Sequence, residues 1–269
     1  MGVPRAPGLG SAVGALTPQF PDLDGKVAVV TGGSRGIGAA TCRLLAANGA
    51  GVVAVGRDDA ALEGVVNEIR WSGGVATGVR TDCTDADALA ALRERVVIEY
   101  GEVDIVMAFA GGAGAPRPTA ELTPDDWRRI VDGDLTATFL TIRTFLPDLL
   151  DRGRGAIVTM SSAAGRQPSQ ANAAYAAAKA GVSMLTRHLA AEVAPRGVRV
   201  NCLAPSAVVN EKMTTALPVE RLRQLGASFP LGRLGEPDDV AVAAAFLASD
   251  ASSWITGVTL DVAGGKVIV

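Results

Sequence analysis

Near the amino end, the β-branched run Lys26-Val27-Ala28-Val29-Val30 passes directly into Thr31-Gly32-Gly33-Ser34-Arg35-Gly36-Ile37-Gly38 and then into a helical pattern from Ala39 to Asn48, closed by Gly49. Few folds accommodate that order. A short apolar run without alternation is expected of a strand buried on both faces of a parallel sheet. Glycines in the turn let the backbone approach a pyrophosphate, and the helix that follows offers amides and the positive end of its dipole. Strand, turn and helix together predict a dinucleotide site built on Gly32, Ser34, Arg35, Gly36, Ile37 and Gly38.

The same alternation continues along the chain. Gly51–Val55 reads as a second strand, and it ends in Gly56-Arg57 where a site for NAD would place an acidic residue to hold the ribose hydroxyls. Arg35 and Arg57 offer two guanidiniums for a 2′-phosphate, so the expected cofactor is NADP(H). The competing reading gives the ribose to Asp58 or Asp59; Asp59 is expected instead to cap the next helix. Helix Ala60–Trp71, strand Val75–Arg80 and helix Ala86–Tyr100 follow, with Asp82 at a strand's carboxyl end, where it could meet the adenine amino group, and Cys83 beside it as a small buried hydrophobe. Strand Val103–Met107 then leads into Ala108-Phe109-Ala110-Gly111-Gly112-Ala113-Gly114, a flexible stretch over the cofactor region, with Ala110 and Gly111 as contacts.

Pro124 with Asp125-Asp126 starts a helix around Trp127, and a long helix runs from about Asp134 to Asp151. Strand 156–161, the helix of Tyr175 and strand Val198–Leu203 lead to Pro205. Residues 205–230 lack a clean period and read as a mobile substrate lid with a short helix. Glu236-Pro237-Asp238 opens a last helix to Ser249, and Gly257–Val262 is the closing strand.

Composition narrows the class. The 269 residues carry a net charge of −3, which provides no basic field for nucleic acid or anionic lipid. A hydrophobic fraction of 48% without an unbroken apolar run near twenty residues predicts a soluble chain, with no membrane partner. The three cysteines, Cys42, Cys83 and Cys202, are odd in number and widely spaced, which argues against a disulfide framework and a zinc site and favours the cytoplasm. Residues 1–22, rich in Gly, Pro and Ala, read as a flexible extension without the apolar core of a signal peptide; 23–269 form one α/β domain.

The chemistry is expected at Tyr175-Ala-Ala-Ala-Lys179. A spacing of four puts both side chains on one helix face, one turn apart. Only four lysines occur, and Lys179 lies in a segment, Ala171–Leu185, that contains no acidic residue. Its charge favours the tyrosinate over the phenol, suiting Tyr175 to trade a proton with an alcohol or carbonyl. Ser162, just after strand 156–161, is placed to hydrogen-bond a substrate oxygen. The lone His188 falls on a different side of the helix from Tyr175, which removes a Ser/His/Asp hydrolase and a histidine metal site.

With these pieces in order, the chain resembles the short-chain dehydrogenase/reductase family from about Leu23 to Gly265. The match rests on Thr-Gly-x-x-x-Gly-x-Gly at 31–38, Ser162 with Tyr175-x-x-x-Lys179, and Arg233-x-Gly-Glu-Pro237 with Thr256-Gly257. The resemblance implies a Rossmann-type doubly wound parallel sheet flanked by helices, a nicotinamide cofactor, and hydride transfer coupled to proton transfer through Tyr175. By analogy Ser162 orients the carbonyl, Lys179 and Tyr175 meet the nicotinamide ribose, and Pro205 and Val208 complete the cofactor site. The resemblance also implies a homotetramer or homodimer and a small carbonyl or alcohol substrate.

Several positions depart from the pattern. Ala108-Phe109 stand where the family has two asparagines, removing amides expected to brace the central strands. Asp134 stands for the helix asparagine of the family's proton relay and is a candidate catalytic residue. Its plainer role would be a cap or first-turn acid of the helix near Leu135; in the relay position its carboxylate would partly cancel the charge of Lys179. Pro205-Ser206, Asn210 and Ala263 replace Pro-Gly, Thr and Asp. These changes leave two alternatives to an NADP(H)-dependent oxidoreductase: a cofactor-binding or sensing protein without turnover, or an enzyme of isomerisation or cyclisation.

Overall fold

The computed structural model describes residues 17–112 and 114–267. Seven strands, β1 (Val27–Thr31), β2 (Gly51–Gly56), β3 (Val75–Arg80), β4 (Ile105–Ala108), β5 (Gly155–Met160), β6 (Val198–Pro205) and β7 (Thr259–Val262), form one sheet in the order β3-β2-β1-β4-β5-β6-β7. Every pairing is parallel. The expected Rossmann-type sheet is therefore present, as a single domain. Its topological switch point lies between β1 and β4, where this architecture opens a crevice at the carboxyl ends of the strands.

Alternation along each strand sends side chains to two opposite cores. Ala28, Val30, Val52, Ala54, Met107 and Val158 pack with helices α1 (Gly36–Ala47), α2 (Asp59–Trp71) and α9 (Pro237–Ala248). Val29, Val53, Val55, Val106, Ile157 and Val200 pack with α3 (Ala86–Tyr100), α5 (Ala137–Arg152) and α6 (Ala173–Val193). Because both faces are covered, the central strands β1, β2 and β4 carry apolar runs without alternation, whereas β6 holds Arg199 and Asn201 and β7 holds Asp261 within the strand. Phe145 of α5 is fully buried in the second core.

Three local features differ from the sequence expectation. Asp58, not Asp59, is the N-cap of α2: its carboxylate accepts from the backbone N of Ala61 at 3.0 Å, while Asp59 occupies the first turn. Segment 205–230 carries two short helices, α7 (Glu211–Ala216) and α8 (Val219–Ala227). The third difference concerns Asp134. Helix α4 (Pro124–Val131), capped by Thr123, runs through a π turn over Asp132–Thr136 into α5, so Asp134 sits inside a continuous helical rod and not at the start of a helix.

Of the expected amino-terminal extension, residues 1–16 lie outside the described residues. The stretch just after them is tied to the domain: the backbone N of Phe20 donates to Asn48 Oδ1 at 2.6 Å, and Asn48 Nδ2 donates to the Pro18 carbonyl at 3.0 Å. Among the described residues no helix is long and apolar enough to cross a membrane. Truncating Phe145 to Ala leaves a cavity between α5 and the sheet; urea unfolding should show a loss of about 3–5 kcal/mol. A loss below about 1 kcal/mol would show that this core collapses around the deletion.

Candidate active site

The strand ends converge on one crevice. At the end of β1, the turn brings Gly38 so close to Gly32 that a Cβ on Gly38 would lie 2.1 Å from the Gly32 carbonyl oxygen. A Cβ on Gly32, itself at φ +68°, would lie 2.8 Å from the carbonyl oxygen of Phe109. Gly36, at φ +52°, is exposed and faces open space, and no side-chain hydrogen bond from the described residues caps α1. Backbone amides at an uncapped helix start, beside glycines that clear the approach, fit a dinucleotide pyrophosphate. Ser34 packs against the end of β2, where a Cβ on Gly56 would come 3.1 Å from its Oγ.

Two arginines border this turn. Arg35 is exposed and pairs with Asp58 at 2.7 Å, and its guanidinium holds the Asp58 carboxyl below the usual carboxylate range. Arg57 is exposed just beyond β2. Just beyond β3, the strand beside β2, Asp82 accepts from the backbone N of Thr84 at 2.9 Å and from its Oγ1 at 2.7 Å. Those bonds, with the nearby charge of Arg57, hold its carboxyl below the ordinary range. Burial pushes the Cys83 thiol up to about 11, so it stays a neutral thiol lining the wall.

After β4, Phe109 is buried in the first core. The asparagine amides are absent, yet β1 and β4 are bridged by a hydroxyl that the sequence analysis did not single out. Thr31 Oγ1 accepts from the backbone N of Phe109 at 3.0 Å and of Ala110 at 3.2 Å, and donates to the Met107 carbonyl at 3.3 Å. The brace persists because it needs only one short side chain and three backbone groups.

The proton-bearing residues come from β5 and α6. Ser162 follows β5 and opens a short 3-10 turn, Ala163–Gly165, its Oγ accepting from the backbone N of Ala164 at 3.2 Å. That turn lies directly on α6: a Cβ on Gly165 would fall 2.6 Å from the backbone carbonyl carbon of Lys179. Tyr175 is half-buried one turn before Lys179, whose Nζ lies 5.6 Å from the centre of the tyrosine ring. Lys179 itself is buried. Its ammonium donates to the Met160 carbonyl at 2.8 Å and pairs with Asp134 Oδ1 at 3.0 Å.

Asp134 and Lys179 are the only buried charged side chains among the described residues. The lysine that lacks an acidic neighbour on its own helix thus receives one from the π turn. The same Asp134 oxygen accepts from the backbone N of Gly112 at 2.7 Å. A Cβ on Gly111, at φ +132°, would lie 2.2 Å from that oxygen, so glycine is required for the loop to approach. Asn172 was also missed, although an asparagine just before an alanine-rich helix is a recognisable cap. Its Oδ1 accepts from the backbone N of Tyr175 at 2.9 Å.

Other expected positions lie at the rim. Pro205 is buried at the end of β6, Val208 is half-buried and bridges to Gly235, and Ala110 is half-buried beside exposed Gly111. Asn210 is exposed and caps α7, accepting from the backbone N of Met213 at 3.1 Å. His188 is exposed on α6.

Comparison with known proteins agrees with this geometry. A family model described as enoyl-(acyl carrier protein) reductase matches residues 32–266. Over 248 residues the chain is 44% identical to the cis-4-hydroxycyclohexanecarboxylate dehydrogenase of Sinomonas cyclohexanicum, covering 91% of this chain and 97% of that one. It is 40% identical over 258 residues to 3beta-hydroxysteroid dehydrogenase 1 of Eggerthella lenta, covering 93% and 97%. Among solved structures, levodione reductase superposes with a TM-score of 0.86 at 28% identity, covering 90% of this chain and 98% of that one. A short-chain type dehydrogenase/reductase from Mycobacterium marinum does so at 0.84 and 31%, covering 93% and 98%. The fold and the relatives define an oxidoreductase acting on hydroxyl or carbonyl groups of small molecules. The chain belongs to the short-chain dehydrogenase/reductase family, whose members use a nicotinamide cofactor.

Removing one partner of a buried ion pair strands the other charge, at a cost of about 3–5 kcal/mol. Asp134→Ala should therefore lower stability by that amount in urea titrations, and adding Lys179→Met should recover most of it. A double variant no more stable than the single one would show that the pair is not coupled.

Proposed function

We propose that the protein interconverts a secondary alcohol and a carbonyl with NADP(H), using Tyr175 as the acid and base. The observation that carries this reading is the placement of the buried Lys179 ammonium 5.6 Å from the Tyr175 ring centre, on a helix that packs against the turn opened by Ser162. In reduction the tyrosine hydroxyl gives its proton to the carbonyl oxygen; in oxidation the tyrosinate accepts one from the alcohol. Ser162 Oγ hydrogen-bonds the same oxygen and sets its orientation. Lys179 supplies a positive charge beside the tyrosinate, partly offset by the Asp134 carboxylate that anchors it at 3.0 Å. When bound, the cofactor accepts or supplies the hydride.

Gly32, Ser34, Gly36, Ile37 and Gly38 are assigned to the pyrophosphate, Asp82 and Cys83 to the adenine side, and Ala110, Gly111, Pro205 and Val208 to the nicotinamide half. The preference for NADP(H) rests on Gly56, which offers no carboxylate to a ribose hydroxyl, and on exposed Arg35 and Arg57 beside it. Asp58 competes for Arg35 through their ion pair, so Arg57 carries more of the expected discrimination. Met213, Leu217 and Phe229 in the 205–230 segment support a substrate of moderate size. A cytoplasmic homotetramer or homodimer completes the reading.

Tyr175→Phe keeps the ring and deletes the proton donor. Ketone reduction followed by cofactor oxidation should fall about 10²–10⁴-fold, while NADPH titrations remain near wild type. Near-normal turnover in the variant would assign the proton to another group.

Arg57→Ala should weaken NADPH by about tenfold, the low end for a charge-assisted hydrogen bond at an exposed site, and leave NADH almost unchanged. Equal wild-type affinities for the two cofactors would overturn the NADP(H) assignment.

A further inference from the structure

The loop after β4 is fastened at both ends to the residues that hold the proton-transfer machinery. At one end, Gly112 donates its backbone N to Asp134 Oδ1 at 2.7 Å, the oxygen that also holds Lys179. At the other, Asn172 Nδ2 donates to the Ala115 carbonyl at 3.0 Å while its Oδ1 caps α6 at the backbone N of Tyr175. Between these anchors Gly114 lies on the tyrosine itself: a Cβ there would sit 2.9 Å from both Cδ1 and Cε1 of Tyr175.

The choice of asparagine carries information. Serine, aspartate and asparagine cap a helix about equally well, so the cap alone does not call for an amide. An ionised aspartate only accepts, and serine must do both from one oxygen on a shorter stem, whereas the amide puts an acceptor for Tyr175 N and a donor for the loop on two separate atoms. Asn172 is 3% exposed, so these bonds to Ala115 and Tyr175 are made away from competing water. The loop backbone is thus clamped onto one side of the Tyr175 ring, and glycine at 114 lets it approach that closely.

We propose that Asn172 is a positioning and specificity residue. Through Ala115 it holds Gly114 and Ala115 as a wall against Tyr175, fixing the ring and limiting the bulk of substrate that reaches its hydroxyl. The proposal rests on the reading of Tyr175 as the acid and base, but its test does not reuse that test.

Asn172→Asp and Asn172→Ser both keep a cap for α6; the first removes the donor to Ala115 and the second leaves only a hydroxyl on a shorter side chain in place of Nδ2. The experiment compares kcat/KM for a one-ring and a fused two-ring ketone in both variants. It also follows deuterium uptake of the 111–118 peptide, NADPH affinity and Tm. With Tm and NADPH affinity near wild type, uptake in the loop should rise. The ratio of kcat/KM for the two-ring over the one-ring ketone should rise about fivefold, the scale of one neutral hydrogen bond. Gly114→Ala, which forces the loop off the ring, should move the ratio the same way. An unchanged ratio in both Asn172 variants, or a uniform loss of activity on both ketones accompanied by a fall in Tm, would reduce Asn172 to a helix cap and overturn the proposal. Failure of the tyrosine assignment would show separately, as an active Tyr175→Phe variant.

Discussion

A parallel sheet covered on both faces leaves little room for charge along its central strands, and that exclusion organises the molecule. Val29, Val53, Val106, Ile157 and Val200 face one set of helices, while Val30, Ala54, Met107 and Val158 face the other. Polar groups therefore collect where strands end. Glycines at 32, 36 and 38, hydroxyls at 31 and 162, and carboxylates at 58 and 82 all follow a strand's last apolar residue. Charge enters elsewhere at Arg199 in β6, which donates to the Leu247 and Ala248 carbonyls, at Asp261 in β7, which pairs with Arg166, and at the buried pair of Asp134 and Lys179, brought in from two helices on the same side.

A buried ion pair is poor evidence for stability, since desolvating two charges offsets most of their attraction. Its value here is positional. Lys179 has a carbonyl on one side and a carboxylate on another, so its ammonium is held in place before any ligand arrives. The Asp134 oxygen reaches in turn to the loop after β4. Strand end, π turn, helix α6 and loop are linked through these two side chains.

Much of the fold was legible because the information was local. Val75–Arg80 and Ala86–Tyr100 are bounded by residues that start or stop an element by their own chemistry, and the glycine turn at 32–38 declares its geometry in residue type. What was hidden depends on distance or on choice between equals. Asp58 and Asp59 are chemically identical candidates for one cap, and backbone conformation decides between them. The Thr31 brace was concealed because backbone groups supply its partners, and no side-chain pattern marks them. Asn172 showed its capping half in the sequence, whereas its bond to Ala115 depends on a loop 57 residues earlier.

The π turn over Asp132–Thr136 makes chain length itself a functional variable. A π turn holds an extra residue relative to an α turn, and each residue in a regular helix advances the face by about 100°. Loss of a single residue there would let the rod from Pro124 to Arg152 close into unbroken α-helix. The stretches before and after the turn would then rotate against each other, taking the Asp134 carboxylate out of line with Lys179 or the α5 side chains out of the core. In relatives of this chain, a one-residue gap at that place in an otherwise smooth alignment would separate proteins that retain the Asp134 contact from proteins that must steady their lysine by other means.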